Sequence, residues 1–303
     1  MGGMSTLEWP LCTPKGYVQG IIPIATSTDH SAWGISWAEA QRQCIYADPA
    51  FQDGYYLPTP ASQPATGLAA ARMVAMLTYR SCESFDTRFG RKSATARGKL
   101  LLKPLPVAAP SLTTIISPRT TPELPSEDPK LLTKHQSKIQ SKSDPLFSAQ
   151  SYLQYQGQKF ISRFDANCYI HLTRKMDGHD VTRGRTKEFT DATSRNSSIT
   201  AILSKIFSAV PPGALVIGVD SDVLFRPEQQ EMLVNTLPGA SLAMIASPEG
   251  HDGFLLEFEV LGPLIMKNLR TQCPWIYEGK ALATEEKAAD VKDSVFGELV
   301  SGW

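Results

Sequence analysis

The chain has 303 residues, of which 42% are hydrophobic and 20% charged. Those values fit one large or two small globular domains and exclude a disordered, collagen-like or membrane-bundle chain. Lysine plus arginine equals aspartate plus glutamate, 30 each, so a formal net charge of zero gives no electrostatic basis for nucleic acid or an anionic membrane as the main partner. Cys12, Cys44, Cys82, Cys168 and Cys273 are dispersed, with no C-x-x-C pair. They read as reduced thiols of a cytoplasmic protein, not as a disulfide framework or zinc site. Residues 1–10 carry no basic-then-apolar secretory pattern, and the apolar run Tyr17–Ala25, broken by Gly20 and Pro23, is too short to span a bilayer.

In chain order, residues 1–9 (MGGMSTLEW) open a helix, and Lys15–Ser27 reads as a buried parallel strand. Trp33, Trp37, Ala40 and Cys44 share one face of a helix expected over 31–46. Residues 49–64 form a loop, and the strong helix formers of 67–79 predict a second helix. Residues 93–146 hold eight of the 22 prolines and no aromatic, the composition of a disordered insertion, with a frayed helix at most near 130–142. One long helix is expected over 149–175, a charged loop over 178–187 and a short amphipathic helix or linker over 199–207. The last third alternates: strand 214–219, helix 227–237 with Pro227 in its first turn, strand 241–246, helix 254–269, then a polar tail. That alternation predicts an α/β fold with a parallel sheet.

Two places carry chemistry. Asp220-Ser221-Asp222 follows one strand, and Gly250-His251-Asp252-Gly253-Phe254 follows the next. In open α/β sheets functional groups sit at the carboxyl ends of strands, so a carboxylate and an imidazole can meet there as the acid–base half of a nucleophile–His–acid triad. Structural alternatives stand beside this: an aspartate after a strand also serves as a helix cap, and a lone histidine as packing. No G-x-S-x-G nucleophile motif occurs in the sequence. Ser5 is a poor substitute, because it lies about one turn into the opening helix. Adjacent aspartates without histidine spacing are weak evidence for a metal, and none is expected.

Several collinear blocks resemble the fungal type of homoserine O-acetyltransferases, in the α/β-hydrolase superfamily. MGGMSTLEW is similar to the tail of the family's nucleophile elbow. IIPIATSTDHSAWGISWAEAQRQCIYADP, GLAAARMVAMLTYRS and SFDTRFGRK resemble a strand and helical lid segments. SYLQYQGQKFISRFDANCYIHLTRKMDGHDVTRGR, VIGVDSDVLFRPEQQ and EGHDGFLLEF resemble its most recognisable stretch and its acid and histidine blocks. The resemblance implies the C-terminal part of an α/β-hydrolase fold. Its parts would be a partial core over 1–29, lid over 30–92 and 147–190 flanking the 93–146 insertion, core with acid and histidine over 191–276, and a peripheral tail over 277–303.

By that resemblance Asp222 is the triad acid and His251 the base. Met1 matches the residue after the nucleophile, whose backbone amide helps form an oxyanion hole. Arg72 and Tyr79 match positions that hold the homoserine carboxylate and hydroxyl region, and Asp252 matches the carboxylate that holds its amino group. A cation for a carboxylate and an anion for an ammonium suit a zwitterionic acceptor. The plainer alternatives are a solvated charge for Arg72, packing for Tyr79 and a helix cap for Asp252. Arg183 and Arg185 are candidates for coenzyme A phosphates, with a solvated loop as the simpler reading.

The implied activity is acetyl transfer from acetyl-CoA, a co-substrate rather than a cofactor, to L-homoserine through a seryl acyl-enzyme in methionine biosynthesis, in the cytoplasm, with a homodimer formed through the lid. The sequence reads as if cut just after the nucleophile, so the chain as written is expected to be inactive. Two alternatives stay open. One is an acyl-CoA-dependent transferase acting on serine or a secondary-metabolite alcohol. The other is a non-catalytic remnant that binds ligand or pairs with an intact homologue.

Overall fold

The computed structural model describes residues 1–57, 59, 61–94, 147–186 and 198–278. Most of the expected insertion, the helix near 130–142 and the tail beyond Glu278 lie outside the described residues. Two strands, β1 (Leu215–Val219) and β2 (Ser241–Ile245), pair in parallel with Val219 opposite Ile245. Helix α8 (Pro227–Thr236) makes the crossover between them.

The alternation of β1 divides its side chains between two layers. Val216 faces a core with Leu7 of α1 (Gly2–Cys12), Leu203 and Phe207 of α7 (Ile199–Phe207), and Leu233 of α8. Leu215 and Ile217 face Leu261, Leu264 and Ile265 of α10 (Phe258–Gln272). Helices therefore cover both faces of the parallel pair. Leu242 and Met244 of β2 remain partly exposed at 39% and 37%, as befits the outer strand.

The strand expected over Lys15–Ser27 does not form. Ile24 makes only an isolated parallel bridge to Ile217, with the Ile217 N–H donating to Pro23 and the Ala25 N–H donating to Ile217. Pro23 has no N–H to continue a ladder, and Ala25 turns away at a φ of 44°. The segment still runs beside β1 on the side away from β2.

The helix expected over 149–175 is two helices, α5 (Ser148–Ile161) and α6 (Ala166–Asp177). Asp165 starts the second by accepting the Cys168 N–H at 2.9 Å, an N-cap that outweighs continued helix. The expected helix 254–269 is likewise broken at Glu257, into α9 (Gly253–Leu256) and α10.

Helices α2 (Ala32–Tyr46), α3 (Ala65–Tyr79), α4 (Cys82–Arg88), α5 and α6 form a separate helical layer. Its core joins Ile45, Leu68, Ala71, Tyr169 and Ile170. Glycines let the helices touch. A Cβ at Gly67 would stand 2.5 Å from the Cys44 carbonyl oxygen, and one at Gly157 2.9 Å from that of Ala69. Gly67→Ala should therefore destabilise the protein by about 2 kcal/mol in a urea melt, although alanine is normally the better helix former by about 1 kcal/mol.

Candidate functional site

The parallel register brings the ends of β1 and β2 side by side, and hydrogen bonds join the two loops that follow. The Ser247 N–H donates to Asp220 Oδ1 at 3.1 Å. The Ser221 hydroxyl donates to the Ser247 carbonyl and accepts the Gly250 N–H at 2.9 Å. Ser247 in turn donates its hydroxyl to Glu257 Oε1 at 2.8 Å, at the break between α9 and α10.

Within this frame Asp222 Oδ2 and His251 Nδ1 are 2.8 Å apart. The carboxylate is fully buried, and its other oxygen accepts the N–H groups of Leu224 at 2.8 Å and Phe225 at 2.9 Å. All the acceptor capacity that matters is thus directed: one oxygen to the backbone turn, one to the imidazole. His251 retains 17% side-chain exposure. Phe225 lies 5.2 Å from it, Phe254 sits edge-on at 5.1 Å, and Tyr79 is 6.3 Å away.

The structure brings Tyr79 and Asp252 to this centre from the helical layer and the histidine loop. Tyr79 is the last residue of α3. Burial pushes its phenol above the usual range, the Arg72 guanidinium opposes that, and the Asp252 charge adds to it. Arg72, seven residues earlier on α3, stacks its guanidinium 5.2 Å from the Tyr79 ring centre and 4.9 Å from that of Phe160. Asp252 is 5% exposed, with Oδ2 3.6 Å from Arg80 Nε.

Met1 is the N-cap residue of α1, and Met4 packs on Leu224, Phe225 and Tyr79. Burial lowers the Met1 amino group below its ordinary value. Ser5 lies one turn along α1 and lines an open cavity of about 670 Å³ with Met1, Trp9, Lys175 and Arg183. Arg185 pairs with Glu8 at 2.8 Å, which also raises its already high basicity. Its charge is therefore engaged inside the protein. Among the described residues no group of three or more His, Cys, Asp or Glu is placed to hold a metal.

Several residues of this region have no signal of their own in the sequence. Arg80 is 2% exposed, although an arginine is by default a surface residue. His30 lies behind Phe225 at 6.2 Å, with Nδ1 3.4 Å from Asp177, which also pairs with Arg42 at 2.6 Å. Burial dominates and lowers the His30 pKa below 6.5 against the pull of Asp177. Gln230 is completely buried and donates to the Phe225 carbonyl at 3.1 Å. Ser221 and Phe254, by contrast, stand inside the two motifs, Asp220-Ser221-Asp222 and Gly250–Phe254, that attract notice in the sequence.

Two consequences follow from this geometry. Gly250 has a φ of 68°, and a Cβ there would meet the Ser81 nitrogen at 2.6 Å. Gly250→Ala should cost about 2 kcal/mol or more in a denaturant melt and displace His251. His30 binds fewer protons folded than unfolded, so its contribution is complete above pH 6.5 and is lost as the pH falls below that value. The acid limb of a thermal-stability profile should therefore flatten in His30→Gln.

No protein-family model matches the chain. Homoserine O-acetyltransferase of Cryptococcus neoformans var. grubii is 38% identical over 98% of this chain and 69% of its own length. Those of Saccharomyces cerevisiae and Emericella nidulans are 38% and 42% identical, over 100% and 98% of this chain and 67% and 65% of theirs. The crystal structure of homoserine O-acetyltransferase from Bacillus anthracis superposes with a TM-score of 0.60 at 18% identity, and that of esterase E22 with 0.57 at 16%. Each covers 88% of this chain, which spans 57% and 58% of them, so the chain corresponds to about two thirds of its curated relatives and less of the solved structures. With this fold and this identity to the curated relatives, the chain belongs to the homoserine O-acetyltransferase family and has the α/β-hydrolase fold of a partial parallel sheet.

Proposed function

We propose that this chain supplies the acid–base pair and the acceptor site for acetyl transfer from acetyl-CoA to the hydroxyl of L-homoserine. The observation that carries the reading is the 2.8 Å contact of His251 Nδ1 with buried Asp222, beside Tyr79 and Asp252. With Nδ1 held by the carboxylate, Nε2 is the nitrogen that exchanges protons. It takes the proton of a serine hydroxyl as that oxygen attacks the thioester, and returns it to the departing thiolate of CoA. It then takes the proton of the homoserine hydroxyl as that attacks the acyl-enzyme, and returns it to the serine oxygen as the acyl bond to serine breaks. Buried Asp222 stabilises the imidazolium formed in each half-reaction.

In this reading the acceptor's carboxylate meets Arg72, its ammonium meets Asp252, and Tyr79 sits between them near the hydroxyl. The backbone nitrogen of Met1, at the head of α1, is assigned to the oxyanion by the family resemblance. The nucleophile in this reading is a serine that this chain receives from elsewhere, since the 303 residues contain no G-x-S-x-G. The helical layer, where Trp33 is half-exposed and packs edge-on against Trp37 at 5.4 Å, is the contact of a homodimer. The five cysteines are free, which supports the cytoplasm as the compartment for methionine biosynthesis.

The test joins the part of the Cryptococcus relative that precedes its match to Met1 onto this chain and follows O-acetylhomoserine by mass spectrometry. The chimera should turn over, and His251→Ala or Asp222→Asn should lower kcat about a thousandfold or more. The 303-residue chain alone should form no product. A folded chimera without turnover, or one indifferent to His251→Ala, would overturn the proposal.

A further inference from the structure

Arg80 is a buried cation whose surroundings go beyond what holding a loop requires. It follows Tyr79 at the end of α3 and precedes Ser81, which caps α4. Its side chain is 1% exposed. Nη1 donates to the Glu249 carboxylate, which also accepts the Ser84 hydroxyl at 2.7 Å. On the other side, Nε stands 3.6 Å from Asp252 Oδ2. The guanidinium thus lies between two carboxylates that flank His251 in the chain.

The loop itself is already clamped by neutral groups. The Ser81 hydroxyl donates to the Pro248 carbonyl, and Gly250 lies directly on the Arg80–Ser81 peptide. Burying a guanidinium is costly, on the order of several kcal/mol before its partners offset it. Neutral contacts would hold the loop at no such cost. What the charge adds is an anchor for Asp252. At 3.6 Å the contact is an ion pair longer than a hydrogen bond, so the guanidinium holds the carboxylate through charge. The Asp252 charge acts in turn on the Tyr79 hydroxyl, one residue before Arg80.

We propose that Arg80 is a positioning residue for acceptor specificity: it holds the Asp252 carboxylate where an incoming α-ammonium group meets it. The inference rests on the reading of Asp252 given under the proposed function. It names a residue of the α3–α4 corner as the determinant that separates amino-acid alcohols from alcohols lacking the amino group.

The experiment is calorimetric binding of L-homoserine and of 4-hydroxybutyrate, which lacks only the amino group, to the 303-residue chain. The wild type should prefer L-homoserine about 30-fold or more, and Asp252→Asn should bring the two affinities close together. Arg80→Gln should reduce the preference about tenfold while leaving 4-hydroxybutyrate binding within about twofold. Arg80→Lys, which keeps the charge, should recover most of it. Hydrogen exchange of the Gly250–Gly253 amides in each variant reports whether the loop stays folded through its neutral clamp.

If Asp252→Asn removes the preference and Arg80→Gln does not, the role of Arg80 is refuted while that of Asp252 stands. If Arg80→Gln weakens both ligands alike, Arg80 is merely structural and the inference fails. A wild type without preference, or one unaffected by Asp252→Asn, overturns the reading of Asp252 and the inference with it.

Discussion

The parallel pairing of β1 with β2 is the constraint on which this architecture depends. Setting Val219 opposite Ile245 brings two chain exits to one edge, about 4.8 Å apart as strand neighbours. Residues separated by 29 positions, Asp222 and His251, then need only two short loops to meet. A one-residue slip would turn every side chain of β2 to the other face and carry the histidine loop away from Asp222. The register is held by burial on both sides of β1, where every residue is buried, and by the serine-mediated lacing beyond the strands.

Charge burial is concentrated in a few places, each compensated differently. The Asp222 carboxylate is compensated by two backbone N–H groups and an imidazole, which direct dipoles or a ring N–H toward it. Arg80 is matched by Glu249 and Asp252. Arg42, with its side chain 6% exposed, is matched by Asp177 and Glu39. Glu39 lies one turn earlier on the same helix, but His251, Glu249, Asp252 and Asp177 each reach their partner from another part of the chain, so those contacts form only when the elements are assembled. Arg80 joins the helical layer to the histidine loop. Arg42 and His30 join α2 and the segment after Ile24 to the end of α6. The Arg80 pairs thereby tie the helical layer to the loop after β2 by charge, whereas Arg42 and Asp177 join two helices within that layer.

The centre between sheet and helical layer is largely aromatic. Tyr79, Phe225 and Phe254 surround the imidazole, and Met4 of α1 packs on two of the same residues. Aromatic walls exclude water from a histidine while leaving its edge for proton transfer, and they stiffen its ring position. The glycine contacts serve the same end at longer range. Gly67 and Gly157 set the approach of α2, α3 and α5, which in turn places the Arg72 and Tyr79 face of α3 above His251.

Much of this is legible in the residues. The apolar runs ALVIGV and SLAMIA, with a Pro-started helix between them, specify a parallel unit because buried strands read as continuous apolar segments. Asp222 and His251 attract notice because each directly follows such a run. The apolar segment before Ala25 misleads on the same grounds: its composition is that of a strand, but Pro23 and the positive φ of Ala25 leave a single bridge. The break at Asp165 is available in the sequence as a capping residue, whereas at Glu257 the side chain's partner is Ser247, ten residues away and within reach only once the loops fold together. Arg80, His30 and Gln230 stand inside the family blocks, but nothing local marks them as buried, since a polar residue's default environment is water. Periodicity and composition, being local, determined the elements, the strand-end positions and the family blocks. Only tertiary structure decided which polar side chains are buried against one another, because the partners that make such burial tolerable arrive from distant parts of the chain.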